Sequence, residues 1–282
     1  MARYLVIGGA GGVGSALVST FKAAGHEIIA SVLNDQEAKA VSAAHAEVAC
    51  FPLDLSDPTS VVDAVRAAID NGPLDGVAVC AAVAPIGILE TANLKQVQRT
   101  LDVNIVSALA IFQAVIPSLR ASRGRIAFTS SMAGKVAMPF VGQYSASKFG
   151  LEGLADAMRR EVAGQGVHVA LVEPGGIRTP MVDAQLMQVS QMIDALTPEE
   201  ERLYGAFYRG FRDAAKASHE LTASTASQVA AVLVRALTDA TPVARYIAGA
   251  DAEQLIAAAH AMSDAEMDGL MAQMMSGETA PA

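Results

Sequence analysis

Short apolar runs alternate with longer amphipathic patterns along most of the chain, and this alternation restricts its fold more than any other feature. Nearly continuous hydrophobic residues make up the runs RYLVIG, HEIIASVL and LDGVAVCAA. Strands that are buried on both faces read in this way, because helices cover a parallel sheet on either side. Such runs, separated by helical segments, predict an α/β fold with a doubly wound parallel sheet, the Rossmann fold.

The domain organisation follows from the absence of breaks in this alternation. The 282 residues contain no internal repeat or low-complexity linker, so we expect one domain spanning residues 1–282. Residues from about 179 to 225 interrupt the alternation with EEE, aromatic residues and methionines. They predict either an extra helical pair packed on the core or a substrate lid, and we favour the lid. The final residues, from about 276 to 282, are expected to be a disordered tail.

Charge and composition exclude several classes of function. A net charge of −9 and a pI near 5.0 argue against nucleic acid as a partner. The longest apolar run, 76–89, is too short to span a bilayer. Cys50 and Cys80 fit neither a disulfide framework nor a zinc pattern, and no metal site is expected from the histidines. Because the first apolar run follows MAR without a signal-peptide pattern, we expect a cytoplasmic protein.

A glycine-rich loop, LVIGGAGGVGSAL, follows the first predicted strand and opens the first predicted helix. Backbone N–H groups of such a loop bind a pyrophosphate at the helix N-terminus. Two registers fit, either Gly9, Gly11 and Gly14 or Gly8, Gly12 and Gly14. The lysine of a phosphate-hydrolysing P-loop is absent. The sequence therefore predicts a bound dinucleotide that contacts Gly8, Gly11, Gly12, Val13 and Gly14.

The choice between NAD and NADP depends on the end of the second strand. An acidic residue there favours NAD and a basic residue favours NADP, but Val32 and Leu33 occupy these positions. The first base beyond them is Lys39, so a 2′-phosphate has no local partner and NAD is slightly favoured. Asp54, followed by Leu55, ends the third strand. It is expected to contact the adenine ring or to cap the next helix.

Tyr144 and Lys148 stand four residues apart in QYSASKFG, on one face of a predicted helix. The same face continues with apolar residues, so both side chains are expected to point into the protein. A buried lysine is costly unless its charge is compensated or used. SASK also matches the S-x-x-K motif of β-lactamases, but the S-D-N and K-T-G motifs of those enzymes are absent. The apolar residues on this face are Leu151, Ala155, Met158 and Val162.

The glycine loop and the buried Y-x-x-x-K motif together resemble the short-chain dehydrogenase/reductase family, from LVIGGAGGVG through ARYIAG. The resemblance implies a catalytic set of Asn104 in DVNIVSAL, Ser131 rather than Ser130 in FTSSMAG, and Tyr144 and Lys148 in YSASK. EPGGIRT resembles the segment that covers the nicotinamide, which implies cofactor contacts from Pro174, Gly175 and Thr179.

This resemblance implies an NAD(P)-dependent oxidoreductase that interconverts an alcohol and a ketone or aldehyde. Tyr144 is expected to act as the general acid/base, and a cation one helical turn away is expected to lower its pKa from about 10 by roughly 1–3 units. Ser131 is expected to hold the substrate oxygen. Lys148 is expected to contact the nicotinamide ribose as well, and Asn104 to support a proton-relaying water.

The segments around Tyr144 and EPGGIRT most resemble retinol and hydroxysteroid dehydrogenases, which implies a hydrophobic substrate and a homodimer or homotetramer. Two positions depart from the family pattern. Ile7 replaces the threonine that begins the glycine motif, and Val79–Cys80–Ala81–Ala82 replaces N-N-A-G. These departures leave one alternative, a non-catalytic dinucleotide sensor on the same fold. The intact Asn104, Ser131, Tyr144 and Lys148 set argues against that alternative.

Overall fold

A parallel sheet lies at the centre of the computed structural model, which describes residues 1–70 and 72–276. The seven strands of the sheet in these residues follow the order β3-β2-β1-β4-β5-β6-β9, and each neighbouring pair is parallel. Two short strands, β7 and β8, pair with each other outside it. The predicted doubly wound sheet is therefore confirmed. The strands are β1 (Arg3–Ile7), β2 (Glu27–Val32), β3 (Ala49–Pro52), β4 (Gly76–Val79), β5 (Arg125–Thr129), β6 (His168–Pro174), β7 (Ile177–Arg178), β8 (Ser224–Thr225) and β9 (Arg245–Ala248).

Helices cover both faces of the sheet. One face packs against α3, α5 and α6, and the other against α1, α2 and α9. The helices are α1 (Gly12–Ala23), α2 (Asp35–Ala44), α3 (Pro58–Ala68), α4 (Leu94–Leu101), α5 (Ser107–Ser122), α6 (Gly142–Val162), α7 (Pro180–Asp194), α8 (Pro198–Leu221), α9 (Ala226–Thr238), α10 (Ala250–Ala261) and α11 (Asp264–Ser276).

Alternate residues of each strand enter two separate cores, which explains the continuous apolar runs. In β1, Leu5 and Ile7 pack into the core under α3, α5 and α6, whereas Tyr4 and Val6 pack into the core under α1 and α9. Since side chains of a strand point alternately to opposite faces, a strand between two cores needs apolar residues at every position.

The strand order reverses between β1 and β4, and a crevice opens at the carboxyl ends of these strands. Ligands of doubly wound sheets bind at this kind of switch point. The glycine loop, 8–11, follows β1, and the loop that begins at Cys80 follows β4. Both loops therefore lie at the crevice.

A helical hairpin made of α7 and α8 leaves the sheet after β6. Its two ends are joined at their base, because Ile177 of β7 pairs with Ser224 of β8 and Arg178 pairs with Thr225. This hairpin corresponds to the predicted insertion at 179–225. Aromatic side chains pack the hairpin against the loop before α6, since the ring of Phe140 stacks on those of Phe207 and Phe211.

The carboxyl-terminal helices close the other side of this hairpin. Helix α11 packs against α8, and Met271 lies in a small core with Val136 and Leu255. The predicted tail lies outside the described residues, apart from Ser276, which ends α11. Within the described part, one helical stretch, Leu94–Ser122, is long and apolar enough to cross a membrane, and 61% of its most apolar window is buried inside the protein.

Candidate active site

A cleft of about 600 Å³ lies at the carboxyl ends of the strands. Each residue that the sequence analysis placed in the site lines this cleft, except Asn104. The lining residues that were predicted are Gly8, Gly11, Gly12, Val13, Gly14, Asp54, Leu55, Ser131, Tyr144, Lys148, Pro174, Gly175 and Thr179.

The glycine loop lines the cleft where α1 begins. Gly8 has a φ of +82°, which side chains with a Cβ rarely adopt. A Cβ at Gly14 would lie 2.1 Å from the carbonyl oxygen of Gly8, so the helix approaches the loop too closely for any other residue. A Cβ at Gly12 would lie 2.9 Å from Cγ2 of Thr179, whereas one at Gly11 would meet its nearest atom at an ordinary 3.5 Å, so these constraints match the register of Gly8, Gly12 and Gly14. No side chain caps the start of α1, which leaves its first N–H groups available to an anion.

Ser31 orders this loop, and the sequence analysis did not identify it. Its hydroxyl oxygen accepts a hydrogen bond from the Gly8 N–H at 2.9 Å, and its carbonyl oxygen accepts one from the Gly9 N–H at 2.9 Å. Ile7, which replaces the family's threonine, is fully buried in the core. The loop is therefore held from the neighbouring strand. A single serine inside the apolar run of β2 was the available signal.

Acidic side chains line the part of the cleft that lies beyond β2 and β3. The Glu37 carboxylate accepts a hydrogen bond from the Leu33 N–H at 2.7 Å, and both residues line the cleft. Asp54 accepts hydrogen bonds from the backbone N–H and the hydroxyl of Ser56. It does not cap α3, whose N-cap residue is Asp57. These bonds from Ser56 lower the pKa of Asp54, and the charge of Arg99, which also lines the cleft, contributes to a smaller extent.

Tyr144, Ser131 and Lys148 meet on the opposite wall. Tyr144 and Lys148 lie one turn apart on α6, and the ammonium nitrogen of Lys148 is 5.5 Å from the centre of the Tyr144 ring. Lys148 is only 2% exposed, and it donates a hydrogen bond to the Thr129 carbonyl oxygen at 2.7 Å. Ser131 hydrogen-bonds with the Tyr144 phenol. The predicted inward orientation of the pair is therefore found.

The pKa of Tyr144 differs from the expected one. Burial raises the pKa of the phenol to about 12, and the hydrogen bond with Ser131 only partly opposes this shift. Burial also lowers the pKa of Lys148 to about 8, against the opposing charge of Glu152. The expectation that the lysine lowers the tyrosine pKa was wrong, because desolvation disfavours the charged form of both groups.

Asn104 lies beside the cleft in a π-helical turn, Asp102–Val106, between α4 and α5. Its amide accepts a hydrogen bond from the Val83 N–H at 3.0 Å and donates to the Val83 carbonyl oxygen at 2.8 Å. It also donates to the Ser147 hydroxyl at 2.9 Å. The asparagine thus joins the loop after β4 to the helix that carries Tyr144 and Lys148.

The segment that runs from the end of β6 into α7 forms a further wall of the cleft. Asp251 of α10 accepts a hydrogen bond from the Gly176 N–H at 2.7 Å, which fixes the turn that follows Pro174. Gln185 of α7 donates a hydrogen bond across the cleft to the Ala84 carbonyl oxygen. Sequence reasoning identified neither of these two side chains, because both contacts join residues far apart in the chain.

The cleft has unused polar groups that fit a dinucleotide. The hydroxyl oxygens of Ser130 and Thr179 are buried in its wall without a hydrogen-bond partner among the described residues. A bound group with donors and acceptors would satisfy them, since buried polar groups normally have partners. The described residues contain no group of three or more His, Cys, Asp or Glu side chains that would hold a metal ion.

Comparisons with known proteins point to one family. A sequence model described as short chain dehydrogenase matches residues 3–189. A 3-amino-tetrahydro-pyrrolizinone reductase of Xenorhabdus hominickii is 27% identical over 94% of this chain and 92% of its own length. Retinol dehydrogenase 7 of Rattus norvegicus and 17-beta-hydroxysteroid dehydrogenase type 6 of Homo sapiens are each 28% identical over 89% of this chain and 82% of their length. The predicted likeness to retinol and hydroxysteroid dehydrogenases is confirmed.

Solved structures share the fold. A short-chain dehydrogenase from Streptomyces avermitilis superposes with a TM-score of 0.77, at 19% identity, over 99% of this chain and 98% of its own. A short chain dehydrogenase from Burkholderia cenocepacia J2315, solved in complex with NADP, has a TM-score of 0.73 at 19% identity, over 97% of both chains.

Proposed function

The chain belongs to the short-chain dehydrogenase family, and we propose that it interconverts a hydrophobic alcohol and its ketone or aldehyde, with NAD as the preferred cofactor. As a member of that family it is an NAD(P)-dependent oxidoreductase acting on CH–OH groups. The observation that carries the proposal is the placement of the Tyr144 phenol, the Ser131 hydroxyl and the Lys148 ammonium on one wall of the cleft that the glycine loop also lines.

Tyr144 exchanges a proton with the substrate oxygen, and Ser131 holds that oxygen by a hydrogen bond. In the reducing direction the phenol donates its proton to the carbonyl oxygen, and in the oxidising direction it takes the alcohol proton. A phenol with a pKa of about 12 is protonated at neutral pH, which is the state that donates. Lys148 provides the positive charge that stabilises the phenolate left behind.

The dinucleotide fits the residues of the cleft from end to end. The N-terminus of α1 would bind the pyrophosphate, and Asp54 with Leu55 would lie at the adenine. Pro174, Gly175 and Thr179 would cover the nicotinamide, beside Tyr144 and Lys148. When bound, the cofactor supplies or accepts the hydride.

The preference for NAD rests on the charges near the adenosine end. The Glu37 carboxylate is bound to the Leu33 N–H, where a 2′-phosphate would meet negative charge rather than a base. Glu37 thus supports the same choice that the missing base at Leu33 supports. Among the described residues that line the adenosine end of the cleft, Arg99 is the one positive charge that could attract a 2′-phosphate. It lies on the Asp54 side.

An apolar substrate fits the other half of the cleft. Methionine and aliphatic side chains from the loops after β4 and β5 and from α7 line it, and Gln185 is the polar exception on that helix. The relatives' names include retinol and hydroxysteroid dehydrogenases, which agrees with a hydrophobic substrate. We propose that the α7–α8 hairpin acts as the substrate lid of a single domain. The apolar lining residues are Val83, Met132, Met138, Val141, Met181 and Val182.

We further propose a homo-oligomer in the cytoplasm. The outer face of α6 carries exposed small and apolar residues, among them Phe149, which is 45% exposed. Val106, in the π-helical turn before α5, is 43% exposed. Burying this face against a second copy would remove apolar surface from water. Both cysteines are free, which suits a reducing compartment. The exposed small residues on the outer face of α6 are Ala146, Gly153 and Ala157.

A panel of hydrophobic alcohols and carbonyl compounds, assayed with NAD, NADP, NADH and NADPH, tests the activity. Tyr144→Phe should lower turnover by about 10²–10⁴-fold while the protein still binds cofactor. Tyr246→Phe is the matched control, because this buried tyrosine lies in β9 away from the cleft. Cofactor binding without turnover of any compound by the wild type would favour a sensor and reject the enzyme.

A further inference from the structure

Charged side chains from four elements are packed behind Lys148, on the side away from the cleft. Glu152 stands one helical turn after Lys148 on α6 and is 5% exposed. One of its carboxylate oxygens, Oε2, lies 2.7 Å from the Lys135 ammonium and 3.0 Å from the Arg245 guanidinium. Lys135 follows the 3₁₀ turn after β5, and Arg245 begins β9.

A second carboxyl group, Glu173 of β6, shares these partners at longer range. It is 1% exposed, and its Oε1 lies 3.2 Å from Arg245 and 3.6 Å from Lys135. Glu152 Oε1 and Glu173 Oε1 are both buried without a hydrogen-bond partner among the described residues, and one proton shared between the two carboxyl groups would satisfy them. Burial, and then the charge of Glu152, raises the pKa of Glu173 well above its usual range.

The remaining charges around this group are few. Asp156, one turn further along α6, pairs with Arg245 at 3.1 Å and with Arg159 at 2.9 Å. Towards the cleft, Lys148 faces Tyr144 on its own helix and Cys80 at the end of β4. The Cys80 thiol, whose pKa burial raises to about 12, is neutral at ordinary pH.

We propose that Glu152 is a positioning residue for catalysis, which carries the negative charge that keeps Lys148 protonated, and that Glu173 holds the shared proton. The inference rests on the proposed function for its catalytic consequence, whereas the charge of Lys148 can be measured without turnover.

The contacts decide which carboxyl group is ionised. Glu152 Oε2 lies 2.7 and 3.0 Å from the two cations and accepts a hydrogen bond from Arg245. Glu173 Oε1 lies 3.6 and 3.2 Å from them, has no hydrogen-bond partner among the described residues, and belongs to the more deeply buried residue. Two carboxylates in contact cannot both ionise at low cost, so the group with weaker partners keeps the proton. Lys148, held beside the cleft by the Thr129 carbonyl, then has Glu152 as its nearest buried anion on α6.

Two variants isolate the charge of Glu152. Glu173→Gln replaces the protonated acid by a neutral group of the same shape, so Lys148 should keep its pKa. In the double variant Glu152→Gln/Glu173→Gln no carboxylate of the pair remains, and the pKa of Lys148 should fall by about one unit. The pKa is followed through the ¹³Cε resonance of labelled lysine in cofactor-free protein, assigned with Lys148→Arg.

Asp156→Asn is the matched control, because it removes a carboxylate from the same helix and the same arginine. It should leave the Lys148 pKa unchanged. A fall as large as that in the double variant would contradict the proposal, because any nearby negative charge would then have the same effect. Equal pKa values in the Glu173→Gln and double variants would overturn the proposal. If the double variant does not fold, Lys135→Gln is added to it and to Glu173→Gln, and the same comparison is made.

Activity provides a separate readout. The alkaline limb of the pH profile of turnover should move to lower pH in the double variant and stay in place in Glu173→Gln and Asp156→Asn. A fall in the Lys148 pKa in a protein that turns over no substrate would support the role of Glu152 and reject the proposed function. The two failures are therefore distinguishable.

Discussion

The Lys148 ammonium lies 5.5 Å from the centre of the Tyr144 ring, in a wall where Lys148 is buried and Tyr144 is half-buried. Burial therefore acts on the two groups in opposite directions, raising the pKa of the phenol to about 12 and lowering that of the amine to about 8. Both shifts disfavour the ionised pair that oxidation of an alcohol needs. The folded chain thus bears a cost at this site, and that cost can be measured.

Replacing Lys148 by methionine should stabilise the protein while abolishing turnover. The folded pKa of about 8 lies below the unfolded value of 10.5, so the unfolded chain binds more protons between these values. The wild type therefore gains stability as the pH rises from about 8 to 10.5, and bears the full cost below 8. At pH 7 we expect the free energy of unfolding of Lys148→Met to be about 1–3 kcal/mol higher than that of the wild type. This figure allows for the lost hydrogen bond to the Thr129 carbonyl.

Urea denaturation at pH 7 and at pH 10.5 measures this difference, which should shrink at the higher pH. Lys95→Met is the control, since Lys95 is exposed and should show no such dependence. An unchanged or lower stability of Lys148→Met at pH 7 would contradict the prediction.

Removing the hydroxyl of Ser31 should weaken cofactor binding. Ser31→Ala leaves the Gly8 N–H without its acceptor, at a cost of about 1–3 kcal/mol shared between folding and loop order. We expect the Kd for NADH, measured by its fluorescence, to rise by about tenfold. Ser19→Ala, at an exposed serine of α1, should not change it. Equal Kd values for Ser31→Ala and wild type would mean that this bond does not order the loop.

A base at position 33 should change the choice of cofactor. Leu33 is 56% exposed at the adenosine end of the cleft. Leu33→Arg would offer a 2′-phosphate a charge-assisted hydrogen bond, so the ratio of NADPH to NADH affinity should rise by about tenfold. Leu221→Arg adds the same charge at the exposed end of α8 and should leave the ratio unchanged. A wild-type protein that strongly prefers NADPH would show that the assignment to NAD is wrong.

Gln185 should control how firmly the hairpin closes over the substrate. Gln185→Leu removes the donor that joins α7 to the Ala84 carbonyl, so amide hydrogen exchange in α7 should become faster and KM should rise more than kcat falls. Gln188→Leu, on the exposed face of the same helix, serves as the comparison. Exchange rates in α7 that are the same in both variants would show that the hydrogen bond from Gln185 to Ala84 does not hold the hairpin closed.

Phe149 should mediate self-association. Phe149→Glu places a charge at the centre of the exposed face of α6 and should shift sedimentation towards the monomer. Leu203→Glu changes an exposed leucine of α8 in the same way and should not alter the assembly. A wild-type protein that sediments as a monomer at micromolar concentration would refute the proposed oligomer.

The fold followed from sequence because the physical rule was local. Every strand between the two cores needs apolar residues on both faces, and that requirement is visible in β1 without any coordinates. The glycine register was not decidable in this way. It depends on the φ of Gly8 and on the close approach of Thr179 to Gly12, which only the folded loop has.

The electrostatics of the site were harder to predict for the same reason. The pattern around Tyr144 identified its charged neighbour, but not the depth of burial that outweighs that charge. Glu173 interrupts the apolar run VHVALVEP and was the one sequence signal of the buried cluster. Its partner Arg245 lies 72 positions away in the numbering, on a strand that becomes its neighbour only when the sheet forms.

The pairing of Ile177 and Arg178 with Ser224 and Thr225 has a consequence for how such a protein can diversify. Because both ends of the hairpin emerge from the same two-stranded ribbon, the helices between them form a cassette with a fixed attachment. Under the proposed lid function, exchanging residues 180–223 for those of a relative would alter what the enzyme accepts and leave the proposed nucleotide contacts, Thr179 included, in place. New specificities would then arise by transplanting one contiguous stretch of gene.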